Sequence, residues 1–299
     1  MKHYNKKSMC EGSSGEYICH TNSENQYKPI ELYSFTDPLC PECLGIEPII
    51  KKLMIEYRQY LTIRHVISSS NVMDRQRHSY HRMANDNKKT TSINNPVNCD
   101  KLPNSLPSLY NVSIAVKAAE LQGKAAGRRF LRRLRDKIFL EKVNTNDKNV
   151  LIDCAIETGL DIQEFTKDIC SQTPIKALQC DRRITCEMEV KTLPTLVFFS
   201  VDADTEGIKV PGVYPYDVYV QILSDLLGDK PKANDLPPIK EFMQIFKMVA
   251  TKELSIVYDM NDKEIEREMK KLQLKQIVER VSFPLGTFWR YIQQSEESI

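Results

Sequence analysis

The stretch "PLCPEC", residues 38–43, places two cysteines three positions apart. At the start of a helix that spacing lets two thiols close reversibly into a disulfide. Working outward, "PIELYSFTD" (residues 29–37) alternates: Ile30, Leu32 and Ser34 face one way, Tyr33 and Phe35 the other. Both faces are largely apolar, which suits a central strand covered on two sides. Asp37-Pro38 turns the chain, and Pro41 fits the first position of a helix, where a missing N–H does no harm. The helix "CLGIEPIIKKLMIEYRQY" carries an apolar stripe at Ile46, Ile49, Ile50, Leu53 and Tyr57. Pro48 inside it predicts a kink. A second strand is expected at Leu61–Ile67.

Farther on, "VKTLPTLVFFS" predicts a strand over residues 195–199, directly after Leu193-Pro194. "DADTEG" reads as a turn, "IKVPG" as a short strand and "YPYDVYVQILSDLLG" as a helix stopped by Gly228. Between the two halves, residues 68–187 read as helices at 74–84, 108–122, 124–142, 147–157, 161–169 and 173–187, with a loop at 85–107. The order of strand, CxxC at a helix start, kinking proline, strand, proline before a strand, hairpin and helix resembles the thioredoxin fold. Pro48 stands where that fold carries its kinking proline. Pro194 stands where it carries a cis-proline packed against the cysteine pair. A helical insertion in such a fold is similar to the DsbA family. The expected fold class is therefore α/β, a DsbA-like unit over residues 29–228. Residues 29–67 and 188–228 form its thioredoxin part, and 68–187 its insertion. A polar tail (1–28) precedes it; a linker (229–238) and a small α+β module (239–299) follow.

The cysteine pair invites an oxidoreductase reading, and three features bear on it. A helix N-terminus lowers the pKa of Cys40. Glu42 opposes this, because a carboxylate beside a thiolate favours the protonated thiol. Thioredoxin-fold enzymes also carry a buried acid six positions before the first cysteine, and here that position is Ser34, whose hydroxyl cannot accept a proton at neutral pH. The geometry allows a disulfide while the acid–base equipment for rapid turnover is missing.

A net charge of +2 over 299 residues gives no bulk field toward nucleic acid or anionic lipid. The basic start lacks the apolar run of a signal peptide, and no stretch reaches a membrane span of about 18 residues. A cytoplasmic protein is expected, so the nine cysteines sit in a reducing compartment. Cys154, Cys170, Cys180 and Cys186 fall in helical patterns and read as small buried or half-buried hydrophobes. His3, Cys10, Cys19 and His20 are zinc-competent, but their spacing matches no compact finger. No cofactor is expected, with zinc on that quartet as the alternative.

"GKAAGRRFLRRLRDKIFLEK" is amphipathic. Its apolar stripe leaves Arg128, Arg129, Arg132, Arg133 and Arg135 on the remaining surface. That surface reads as a solvated face or as a docking site for an acidic partner, Arg128, Arg129, Arg132 and Arg133 being the contact candidates. At the carboxyl end, residues 239–250 read as one helix and "TKELSIVYDM" as a second. A third starts at Asn261, with Glu264 completing a capping box, and a hairpin turns around residues 284–286. Helices followed by a hairpin resemble a winged helix. Asp262, Glu264 and Glu266 at the start of the would-be recognition helix oppose DNA binding.

"ELYSFTDPLCPEC", "AVKAAELQGKAAGRRFLRRLRDKIFL", "LQCDRRITCEMEVKTLPTLVFFS", "ELSIVYDM" and "GTFWR" together resemble the SpxH family of low-GC Gram-positive bacteria. The likeness runs from about residue 30 to the carboxyl end. It implies an adaptor that binds the transcription factor Spx and presents it to the ClpXP protease; from charge and the lack of apolar spans, no nucleic acid or membrane partner is expected. It assigns Cys40, Cys43 and Pro194 to the shared motif. One departure is Leu44, where relatives often carry tryptophan. The competing expectation is a cytosolic DsbA-like thiol–disulfide oxidoreductase using Cys40 and Cys43.

Overall fold

The structure, a computed structural model, describes residues 27–68, 108–143, 147–201 and 207–292. The helix expected at 74–84, the loop at 85–107 and the quartet His3, Cys10, Cys19 and His20 lie outside the described residues.

Strand β1 (Ile30–Thr36) is central in a four-stranded sheet of order β2-β1-β3-β4. It runs parallel to β2 (Leu61–Ile67) and antiparallel to β3 (Thr195–Ser200), which pairs antiparallel with β4 (Ile208–Pro211). The two apolar faces of β1 account for its central place. Ile30 and Leu32 pack with Ile46, Ile49, Ile50 and Leu53 of α1 (Glu42–Glu56). Tyr219, Ile222 and Leu223 of a later helix (Tyr216–Leu227), which ends on left-handed Gly228, join the same core. Tyr33 and Phe35 face the other way, onto Val197, Phe199, Met188 and Val190. Helix α1 continues through Pro48, which is buried.

Between β2 and β3 stand α2 (Ser108–Leu121), α3 (Lys124–Phe139), α4 (Lys148–Glu157), α5 (Ile162–Ile169) and α6 (Gln172–Glu187). Asp147, Asp161 and Ser171 cap the last three through their side chains. The bare Gly127 of α3 lets α2 come close: a Cβ placed there would stand 3.1 Å from the Glu120 Cα. Asp181 of α6 ties this bundle to the sheet, accepting the Ile67 N–H at 2.7 Å. That satisfies a backbone donor at the end of an edge strand.

The helix closing the thioredoxin unit is α7 (Tyr216–Leu227). After the linker, the C-terminal module runs α8 (Ile239–Phe246), β5 (Met248–Ala250), α9 (Thr251–Tyr258), α10 (Asp262–Leu274), β6 (Val278–Phe283) and β7 (Gly286–Tyr291). The single helix expected over 239–250 is corrected here. Lys247 adopts φ 57°, which ends α8. The next three residues form β5, hydrogen-bonded to β7 in a sheet of order β5-β7-β6. A helix-period apolar pattern cannot report a strand of three residues. The capping box of Asn261 and Glu264 is present. The module has its own core of Phe242, Met243, Val249, Leu254, Val257, Ile265, Met269, Val278 and Trp289. Trp289 Nε1–H donates to Thr251 Oγ1 at 3.0 Å.

Candidate functional site

Cys40 lies in the turn before α1 and Cys43 in its first turn. Both are free thiols and both are wholly buried. The turn is closed by the Cys43 N–H donating to the Cys40 carbonyl at 3.2 Å. Cys40 Sγ donates to a Glu42 carboxylate oxygen at 3.4 Å. The Cys40 pKa lies far above that of an ordinary thiol. Its hydrogen bond with Cys43 contributes most, burial next, and the Glu42 charge adds to both. The lowered value expected from the helix N-terminus is thereby corrected. A helix end contributes about 0.3–1 kcal/mol, and removing a thiolate from water outweighs that.

Leu193-Pro194 is cis. Leu193 packs in one cluster with Cys40 and Cys43. The Pro194 carbonyl accepts the Gly212 N–H at 2.7 Å. The next residues, Val213 and Tyr214, are exposed, and Val213 lies against Gly45 of α1. The first turn of α1, the cis-proline and the segment after β4 therefore border one face, with apolar side chains open to solvent.

Beneath this face Ser34 is buried, and its Oγ has no hydrogen-bond partner among the described residues. Its register partner on β2 is His65. The His65 Nε2 is also buried and without a partner there. Burial, then the Arg128 charge, push the His65 pKa down to about 4, so the imidazole is neutral near pH 7. A hydroxyl thus stands at the position where the resemblance expects an ionisable acid, with a neutral ring beside it on β2.

The arginines of α3 divide between the interior and the surface. Arg132 pairs with Glu47 of α1, with Glu253 of α9 at 3.3 Å and with Asp136 of its own helix at 3.3 Å. Arg133 binds Glu157 and, at 2.7 Å, Glu141. Arg135, nearly inaccessible, holds Glu47 at 2.5 Å and donates to the Asp37 carbonyl at 3.2 Å, bracing the turn that leads to Cys40. Arg129 stays exposed, and Arg128 is half-buried. Arg132 and Arg135 thus form an internal strut, while Arg129 and Arg133 stay on the outer part of the face, Arg133 in surface ion pairs. Burial alone would raise the Glu47 pKa, but Arg132, Arg135 and Lys51 outweigh it and hold the carboxyl at about 2. For Asp136 burial wins over Arg132, and the pKa rises to about 6.

Sequence reasoning missed the partners of this strut. Lys51 and Lys52 of α1 are buried, Lys51 paired with Glu253 and Lys52 with Asp259. One signal was available: Lys52 follows Ile49 by three positions and precedes Leu53 by one, which sets it at the border of the apolar stripe. A second correction concerns the cysteines of the helical insertion. Cys154 is buried, its thiol pushed up to about 12 mainly by that burial, and Cys180 is half-buried, but Cys170 and Cys186 are exposed. Both fall at or next to helix ends, where the core no longer covers them. Among the described residues no group of His, Cys, Asp and Glu is arranged to hold a metal ion.

A parallel–antiparallel sheet with a dithiol turn before α1 and a cis-proline facing it defines a protein of the thioredoxin class, and the chain matches the Thioredoxin family over residues 33–221. A solved structure described as a protein disulfide isomerase of Nitrosomonas europaea shares the fold at TM-score 0.51 and 19% identity, covering 68% of this chain and 98% of that one. Within the class, the chain belongs to the SpxH family. It is 43% identical to the ClpXP adapter protein SpxH of Bacillus subtilis, over 92% of this chain and 93% of the relative. It is 41% identical to the protein of that name from Halalkalibacterium halodurans, over 98% of this chain and 100% of the relative.

Proposed function

We propose that this chain is a cytoplasmic adaptor that binds the transcription factor Spx and promotes its degradation by the ClpXP protease, by binding and without bond chemistry of its own. Whole-length likeness to proteins named ClpXP adapter protein supports the role. The observation that carries the non-catalytic part is the burial of Cys40 with its thiol held protonated. An exchange reaction needs an accessible thiolate. An adaptor needs a face, and the exposed Val213 and Tyr214 beside cis-Pro194 offer one. Raising the local concentration of a substrate at the protease suffices for such a role. Among the described residues no helix is long and apolar enough to cross a membrane.

The test follows Spx degradation by purified ClpXP with this protein, with a Cys40→Ala/Cys43→Ala variant and with neither. Equal acceleration by both forms is expected. Acceleration by the wild type alone makes the dithiol a required input. Acceleration by neither form, together with reduction of a model disulfide by the wild type, replaces the adaptor reading with that of a thiol–disulfide oxidoreductase using Cys40 and Cys43.

A further inference from the structure

We infer that the C-terminal module is an arm latched to the thioredoxin unit by buried charge, able to leave as a folded body and return. The inference is independent of the adaptor reading.

The two bodies have separate apolar cores, one around β1 and α1, the other around Trp289. The apolar exchange between them is slight. Ile55 of α1 packs against the module core, and Ile256 of α9 packs against the sheet core. Charge dominates the rest. Lys51 reaches Glu253 and lies 4.5 Å from the centre of the Phe246 ring. Lys52 reaches Asp259, and Arg132 links Glu253 to Glu47 while its guanidinium also approaches the Met248 carbonyl at 3.5 Å. Between the bodies runs a mostly exposed, proline-containing strap, fastened by Asn234, which donates its N–H to the Glu56 carbonyl at 2.7 Å.

A contact built this way has a particular energetics. Pairing buried charges recovers roughly what their desolvation costs, so the closed contact is held by a small net margin. When the arm leaves, Lys51, Lys52, Glu253 and Arg132 regain water, and each apolar core gives up one edge contact, Ile55 from the module core and Ile256 from the sheet core. Interfaces inside a chain that are small and polar permit relative motion of the bodies. Removing one partner while the arm is closed has the opposite consequence, since it strands a charge out of water. The latch is thus reversible in its native form and sensitive to single charge changes.

The experiment uses the full chain and places the change on the thioredoxin side. Lys51→Glu sets two carboxylates against each other, and small-angle scattering reads the result. A larger radius of gyration than the wild type is expected. Trp289, the single tryptophan, reports whether the module stays folded. Its emission is expected to keep the wavelength of a buried indole. The exchange variant Lys51→Glu/Glu253→Lys is expected to restore the wild-type radius. An unchanged radius in Lys51→Glu overturns the inference, as does expansion accompanied by a red shift of Trp289 or failure of the exchange variant to restore the radius. A measurement on the wild type covers the case in which Lys51→Glu does not fold. Reductive methylation should modify Lys52 slowly and exposed Lys247, Lys252 and Lys263 quickly, with Trp289 emission constant. Complete protection of Lys52 over hours, once the others have reacted, equally overturns the latch.

Discussion

Burial acts in opposite directions on two groups near the α3 strut, and the pH dependence of stability should show both. His65 titrates near 6.5 in an unfolded chain and at about 4 here, so between those values the unfolded chain binds more protons. Stability from this group is lost as pH falls through that window, on the order of 3 kcal/mol. Asp136 titrates near 4 when unfolded and at about 6 here, so the folded chain binds more protons and stability is gained over the same fall, by a similar amount, roughly 3 kcal/mol. The two offset each other between pH 6 and 4. In Asp136→Asn the urea midpoint should therefore drop more steeply than in the wild type as pH goes from 6.5 to 4. In His65→Gln it should drop less or rise. Parallel curves for the three proteins would contradict both assignments. Ser34 was legible in the sequence by its spacing from Cys40. His65 was not, because it meets Ser34 only through the register of β1 with β2.

At the scale of elements, the α2–α3 contact is the tightest place to test. Alanine at position 127 would put its Cβ 2.4 Å from the Glu120 Cγ and 3.1 Å from its Cα. The side chain can swing away, but the backbone of α2 cannot. Helix propensity favours the substitution by about 1 kcal/mol and overpacking costs about 1–3 kcal/mol. Gly127→Ala should therefore be neutral to about 2 kcal/mol less stable, seen as an unchanged or lower thermal midpoint; a clearly higher midpoint would show that α2 and α3 separate freely. Most helix limits were readable within two residues, because apolar period and side-chain caps are local signals. What α3 does was not. Two of the three carboxylates that Arg132 meets lie 85 and 121 positions away in the chain. A run of arginines looks the same whether its partners are water or distant glutamates.

Across the whole molecule, two cores joined through charge should not melt as one. Trp289 follows only the module, while far-ultraviolet circular dichroism follows every helix. In urea the two signals are expected to give different midpoints, and coincident transitions would show a single cooperative unit. Thr251→Val leaves the Trp289 N–H without an acceptor and should lower the fluorescence transition by about 1–3 kcal/mol, leaving the larger dichroism transition in place. The strap's prolines and polar residues were visible in composition. The way the halves are held was hidden, because Lys51-Lys52 reads as ordinary surface charge until α9 is folded against it.

The placement of the thiols changes how oxidant experiments on this protein would be read. Cys170 and Cys186 stand in solvent while the CxxC pair is covered. An alkylating probe or a peroxide applied to living cells would, among the described cysteines, meet the helix-end pair first. Among the described thiols, a change in the trapping pattern would then record the chemistry of α5 and α6 before that of the motif, and substitution of Cys170 and Cys186 would remove that contribution from the signal at Cys40.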